Sequence, residues 1–408
     1  MLFNRFGTLI LSVLMVIAVA TSGLAQNSDP PSNAPFQAGP LVLAPVLQLT
    51  NVGHDSNIFN STENPQGDVT ATFTPSVDGW LRMAHGRISG RTQMDVYYFR
   101  TLTNLRGSDN DSWVNAEVPV NRLKPYFSGT LTDTRYRQGL EIDALERRRA
   151  QSLTTGVDVR VTAKTTVGVF ERYSRLRYHA NSLYRDTDLA QVLNHSSRGA
   201  GANVQYAVTP FTSVVVEGER TTDDFDFEKN RNSQNVRVTT GVAFNPRALI
   251  SGSASIGFQQ RRFVADKAPA TAKGTYFLAD LSYLLLGRTR FTFYGRRQLD
   301  YSYLIGQPAY INAGITLGIN HRVTDAWEIG GSVGRYRVLY TQDPSNVESL
   351  FYGSADETAF MSDGQVAYRL GHSRVGLQVQ YQQRLTDKPD IERTYHRVRI
   401  GSTFAYTF

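Results

Sequence analysis

The chain has no cysteine among its 408 residues. That excludes disulfides and thiolate metal sites, and it suits an oxidising compartment where a stray thiol is a liability. After position 26 no apolar run approaches the roughly 18 residues a membrane-crossing helix needs, so no such helix is encoded. Catalytic signatures are equally scarce. The 7 histidines are scattered, and no HExxH, phosphate-binding glycine loop or calcium loop occurs. The paired acids Asp223, Asp224 and Asp226 read as solvated loop charge. No cofactor is implied, and the chain is expected not to be an enzyme.

The N-terminus reads as an export signal over residues 1–25. Arg5 supplies the positive region, Thr8 to Ala20 the apolar core, and Gly23 and Ala25 the small residues that place cleavage before Gln26. Residues 26–40 are rich in Pro, Ser and Asn without periodicity, a flexible periplasmic leader. An exported chain has no nucleic-acid partner.

From Leu41 to Phe408 the pattern changes to strict alternation of apolar and polar residues. Strands are expected at 41–52, 69–81, 87–100, 112–120, 125–136, 150–161, 165–178, 197–208, 212–223, 233–244, 249–263, 274–285, 289–302, 309–321, 326–341, 357–370, 373–386 and 394–408. Their connectors alternate short and long, with turn residues such as Thr209-Pro210, Asn245-Pro246 and Leu286-Gly287 in the short ones. An apolar-out, polar-in ladder of this length, with alternating connector lengths, describes a transmembrane antiparallel β-barrel of about 18 strands. The fold class is therefore all-β, one domain over 41–408, with short periplasmic turns and long extracellular loops.

Facing follows from the phase. Ile311, Ala313, Ile315, Leu317 and Ile319 are expected to face lipid, as are Val375, Leu377 and Val379. Arg335 and Arg337 share the lipid phase of Val333, which requires either a bulge or a place above the membrane. Tyr97, Tyr98, Phe99, Tyr126, Phe127, Tyr206, Phe211, Tyr301 and Tyr303 sit near strand ends, as interfacial girdles do. The inward phase collects Arg87, Arg91, Arg160, Arg237, Arg261, Arg290, Arg296, Arg374, Arg384, Arg397 and Arg399, with Gln378, Gln380 and Gln382 beside them. Fewer acids share it: Asp78, Asp95, Glu117, Asp158 and Asp280. A basic wall favours anionic solutes, and the amides suit sugar hydroxyls. The same arginines also admit a plain reading, as partners of lumen carboxylates. The net charge of +7 is further consistent with contacts to outer-membrane lipid and lipopolysaccharide phosphates.

The last strand carries Phe404, Tyr406 and Phe408 on one face. A closing strand ending in Phe resembles the signal read by the outer-membrane barrel-assembly machinery. In the first loop, His54-Asp55-Ser56-Asn57 is similar to the His-x-Ser-Asn run of outer-membrane lipid A deacylases, but those are much smaller barrels. TonB-dependent transporters carry a sizeable N-terminal plug, which the short leader cannot supply. Asn51-Val52-Gly53-His54-Asp55-Ser56-Asn57-Ile58-Phe59, followed by Asp68-Val69-Thr70-Ala71-Thr72-Phe73-Thr74-Pro75, resembles the opening of the family named putative β-barrel porin 2. That resemblance implies a non-enzymatic outer-membrane barrel. Two functions are open: a porin or transport channel for small hydrophilic, anionic or saccharide solutes, and an accessory of exopolysaccharide export whose partners are polysaccharide-export components. The loops at 179–196 and 342–356 are the segments expected to fold inward.

Overall fold

The computed structural model describes residues 34–135, 137, 139–246, 248–264, 271–304, 307–340, 357–386 and 393–408. The export signal, the first part of the leader and the loop at 342–356 lie outside the described residues. Strands β1 (Leu41–Asp55), β2 (Asp68–Met83), β3 (Gly86–Phe99), β4 (Gly107–Glu117), β5 (Leu123–Thr134) and β6 (Arg148–Arg160) run up and down in sequence. They are followed by β7 (Thr165–Tyr178), β8 (His195–Thr209), β9 (Thr212–Phe225), β10 (Ser233–Phe244), β11 (Ile250–Phe263) and β12 (Ala272–Leu285). The chain completes the wall with β13 (Thr289–Tyr301), β14 (Ala309–Arg322), β15 (Trp327–Leu339), β16 (Glu357–Leu370), β17 (Ser373–Thr386) and β18 (Tyr395–Thr407). Each strand pairs antiparallel with its sequence neighbours, and β18 pairs with β1. The result is a closed 18-stranded barrel. A short strand, Phe36–Ala38, turns back on Leu41–Leu43 within the stretch read as leader.

Alternation dictates the wall. Val375, Leu377 and Val379 are 49–63% exposed on the outer face, while Gln378 and Gln380 in the alternate phase point inward, with Arg399 donating to Gln380. The short turns use left-handed backbone where needed, as at Leu286 (φ 51°) and Gly287 (φ 67°). They share one end with both termini of the barrel, the periplasmic end. In β1 the register slips around Asn51 against both neighbours, and Asn51 takes φ 51°. This bulge presses Gly53 against β18. A Cβ there would stand 2.0 Å from the Ile400 carbonyl oxygen, so glycine is required.

Two lipid-facing assignments are corrected. Ile311 and Ala313 are 4% and 2% exposed, not open to lipid like Leu317 and Ile319. The β12–β13 ladder ends at Phe277 and Arg297, whereas the β13–β14 ladder continues to Tyr301 and Ala309. The upper β13–β14 hairpin thus parts from β12 and leans into the mouth. Its outer side, with Leu299, Ile311 and Ala313, packs against Phe263 and Ala272 from β11 and β12, joined by Leu339. Periodicity preserves the phase but is blind to a strand that changes neighbours.

Arg335 and Arg337 keep the outer phase. The β14–β15 register runs without a shift, so no bulge rescues them. They stand at the extracellular end of β15, where an arginine is tolerated. The girdle reading holds for Phe127, Tyr206 and Phe211, which are exposed on the outer face, and fails for four tyrosines. Tyr97 and Tyr301 line the lumen, Tyr126 shares the inner phase of Lys124 on β5, and Tyr303 is buried in the mouth against Arg393.

Candidate functional site

The extracellular mouth is occluded from within. The loop 135–147 joins β5 to β6, yet it reaches across the mouth to side chains of β14–β17 on the far side of the ring. Its sequence Gly139-Leu140-Glu141-Ile142-Asp143 alternates apolar and acidic residues. The apolar pair has no reason to remain in water. Leu140 packs with Tyr310, Val338, Tyr340 and Ala359. Ile142 joins a cluster with Tyr178 and Tyr303 and the helix α1 (Leu189–Leu193), whose Leu189 is fully buried. Asp188 caps α1 by accepting from the Ala190 N–H at 2.9 Å. The expectation that the 179–196 loop folds inward is thus met by α1, and the more extensive closure comes from 135–147.

Charge pins this loop. Arg384, wholly buried, donates to the Leu140 carbonyl and to Glu357, and lies 3.3 Å from Asp143. Arg393 donates to the Glu141 carbonyl at 3.0 Å, to Glu357 at 2.9 Å and to the Tyr303 hydroxyl. Asp143 also accepts from Asn60 at 2.8 Å and pairs with Arg137, which reaches the Ile58 carbonyl at 2.6 Å. Buried charges of this kind are tolerable only because each has several partners. Glu141 makes no ion pair among the described residues. One oxygen accepts from Ser302 (2.6 Å), the Tyr303 N–H (3.1 Å) and Tyr340 (3.4 Å), while Oε2 has no partner. Burial pushes its carboxyl up to about 7, against the pull of those hydrogen bonds and of Arg393.

The inward-leaning β13–β14 hairpin completes the roof. Tyr301 meets Phe225 and His195 at ring distances of 4.8 and 5.2 Å, and its hydroxyl contacts Asp223 and Ser233. The Arg261 guanidinium lies 3.7 Å over the same ring. Arg231 donates to the Ser302 and Leu304 carbonyls.

Beneath the roof lies a lumenal cavity of about 1100 Å³. Arg172 and Arg237 converge there on Glu219, at 2.6 and 2.5 Å. Arg148, Arg261 and Arg296 also line the cavity and have no carboxylate partner among the described residues. On β3 and β4 three carboxylates, Asp95, Asp109 and Asp111, face it with no basic partner among the described residues. Asp95 and Asp109 are held by Thr74 and Thr134, while Asp111 Oδ1 has no hydrogen bond. In the ring of strands this acidic wall stands across from Arg261 and Arg296 on β11 and β13. Tyr97, Tyr276, Tyr294 and Tyr310 line the space between.

The arginines singled out from the sequence divide into groups. Arg237 and Arg296 line the cavity. Arg384 and Arg397 are anchors: the first holds the 135–147 loop, the second pairs with Asp55 at 2.9 Å and with Asn60 at 3.1 Å. Arg399 shares Asp55 at 3.1 Å. Nearer the periplasm, Arg87 pairs with Glu117, Arg91 with Asp78 at 3.7 Å, and Arg374 with Glu328 at 3.2 Å. Arg290 donates to Ser282 at 3.4 Å, and Arg160 ends its strand exposed. Gln382 donates to Tyr395 at 2.5 Å, and Gln378 stands opposite Gln365 in the ladder. The plain reading thus holds for most of these arginines. The lumen acids were undercounted, since Asp109, Asp111, Glu217, Glu219, Asp223, Glu328 and Glu357 also occupy inner positions. His54, at the end of β1, is exposed on the outer face, while Ser56 just beyond it accepts from the Val398 N–H at 2.9 Å as an edge contact.

A closed up-and-down barrel with an apolar belt, a wet charged lumen and a loop folded into its mouth is an outer-membrane barrel of the porin class. The chain belongs to the family described as Putative beta-barrel porin 2, whose model matches residues 146–406. The opening stretch that first resembled this family lies ahead of the matched residues. Among solved structures the chain is similar to a BenF-like porin from Pseudomonas fluorescens Pf-5, with 10% identity and a TM-score of 0.48 over 90% of this chain and 98% of that one. The outer membrane protein opdK from Pseudomonas aeruginosa matches with 9% identity and a TM-score of 0.47, over the same shares. OccK5 (OpdH) from Pseudomonas aeruginosa gives 8% and 0.45, again over 90% and 98%. No curated protein matches the sequence.

Proposed function

We propose that the barrel is a gated channel for small hydrophilic solutes bearing negative charge or sugar hydroxyls. The observation that carries this reading is the cavity under the roof, walled in part by Arg148, Arg261 and Arg296, which have no carboxylate partner among the described residues. Such guanidinium groups hold an anion bidentately, and the tyrosines around them present both a ring face and a hydroxyl to a sugar. Replacing Arg290 and Arg296 together by Ala should lower anion selectivity without harming assembly, since lumen changes tune selectivity. The measurement is the reversal potential in a salt gradient. The wild-type preference should fade as salt shortens the Debye length below about 8–10 Å. An unchanged reversal potential in the double variant would refute the reading.

The closed mouth favours a second reading, a non-enzymatic accessory of exopolysaccharide export that binds its partners and passes nothing. The two part on one result. A barrel that stays silent in a bilayer even after its loop is released supports the accessory.

A further inference from the structure

The outer wall differs around its circumference. On β7–β11 the outward positions just above the apolar belt carry Arg175, Arg177, Arg198, Arg220 and Arg262. At comparable heights on β16–β18 and β1–β3 the outward strand positions carry no arginine or lysine: Phe360, Gln383 and His396 share one row, and Val398, His54, Val69 and Tyr98 stand nearby. Register sharpens the picture. Tyr173, Arg198, Thr222, Gln234 and Arg262 form one cross-strand row, and Arg220 lies in the next row down, beside Gln260 two strands over. With strands about 4.8 Å apart and a rise of about 3.4 Å per residue, Arg198 and Arg262 are roughly 14 Å apart and Arg220 stands about 7 Å below them. The rows beneath are Val238, Phe258, Val204, Val216 and Ile256, all exposed. The arginines therefore stand where acyl chains give way to headgroups on the extracellular side.

Their pairing leaves charge to spare. Arg175 and Arg177 share Asp226 at 3.6 and 3.7 Å, and Asp224 is taken by Lys229 at 3.0 Å. Arg198 lies 5.7 Å over the Tyr173 ring, and Arg220 donates to Gln234 at 3.1 Å. Neither of these, nor Arg262, has a carboxylate partner among the described residues, and Glu171 is the one acid in the two rows.

We propose that the outer face of β8–β11, centred on Arg198, Arg220 and Arg262, binds the phosphorylated glycolipid of the outer leaflet, lipopolysaccharide. The guanidinium groups grip its phosphates, Gln234 and Gln260 meet sugar hydroxyls, and Val238 and Phe258 take the first acyl methylenes. Phosphate supplies the charge that the arginines lack, and the acyl chains supply the apolar surface directly below.

The test is binding of labelled lipopolysaccharide to the purified full-length protein in detergent. Wild type is compared with R198A/R220A/R262A, and heat-modifiable migration checks the fold. One charge-assisted hydrogen bond is worth on the order of tenfold in affinity, so the triple variant should bind at least about a hundredfold more weakly. The same loss is expected when wild type meets the glycolipid stripped of its phosphates. R335A, which removes an outward charge on β15 away from these rows, should bind as wild type does. R198K/R220K/R262K keeps the charge should the alanine variant misfold, and it should bind with intermediate, salt-sensitive affinity. Equal binding by wild type and the triple alanine variant would overturn the proposal. So would tight binding of the dephosphorylated glycolipid, an equal loss in R335A, or salt-insensitive binding by the lysine variant.

Discussion

Arg384→Ala should open the mouth. The side chain holds three acceptors: Glu357, Asp143 and the Leu140 carbonyl. Glu357 would keep Arg393, and Asp143 would keep Arg137 and Asn60, so the loss falls at the lower end of the range for breaking a buried pair, about 3 kcal/mol. At roughly 1.4 kcal/mol per decade the ratio of closed to open loop drops about a hundredfold. A mouth open ~1% of the time would then be open about half of it. The strands themselves retain their ladders, so the barrel should still assemble and still migrate as a heat-modifiable band. Single-channel recording in a planar bilayer reads the outcome directly, as frequent openings in the variant where wild type shows rare ones. If a correctly folded R384A barrel is as silent as wild type, the loop is not held by this arginine and the reasoning fails.

Closure should depend on pH through Glu141. Burial raises its carboxyl from 4.5 to about 7, so protonation favours the closed loop: the stabilisation is complete below about pH 4.5 and is lost as pH rises through 7. Over that window closure weakens by roughly 3 kcal/mol, so conductance should climb, and Glu141→Gln should remove the dependence. Ile311→Ala should cost about 2–5 kcal/mol of barrel stability, while Leu317→Ala on the lipid face should cost far less. The denaturant midpoint of heat-modifiable migration separates them, and equal costs would contradict the inward lean of the β13–β14 hairpin.

Most of the wall was legible because a strand between lipid and water obeys a period of two and a short turn needs particular residues. The strands at 165–178, 233–244, 357–370 and 373–386 have the bounds read from the sequence. What alternation does not encode is which neighbour a strand keeps. Nothing in Leu299, Ile311 or Ala313 reveals that β13 leaves β12 above Phe277, so their apolar phase was taken for a lipid face. Asp109 and Asp111 were lost by a boundary error, since β4 begins at Gly107 and not at 112. The roof did leave a signal. Leu140 and Ile142 are apolar residues alternating with acids in a highly charged loop, a pattern that asks for burial, but where they dock depends on Arg384 and Arg393, more than 240 positions away in the chain.

The clamp on the 135–147 loop draws its fixed points from both ends of the sequence: Ile58 and Asn60 follow the first strand, while Arg384 and Arg393 flank the gap before the last. Those points come together only once β18 has zipped onto β1. The roof is thus the final part to be fastened, and until that moment the lumen stands open at the top. Assembly of the wall and sealing of the mouth are successive events, written into the order in which the chain supplies its ends.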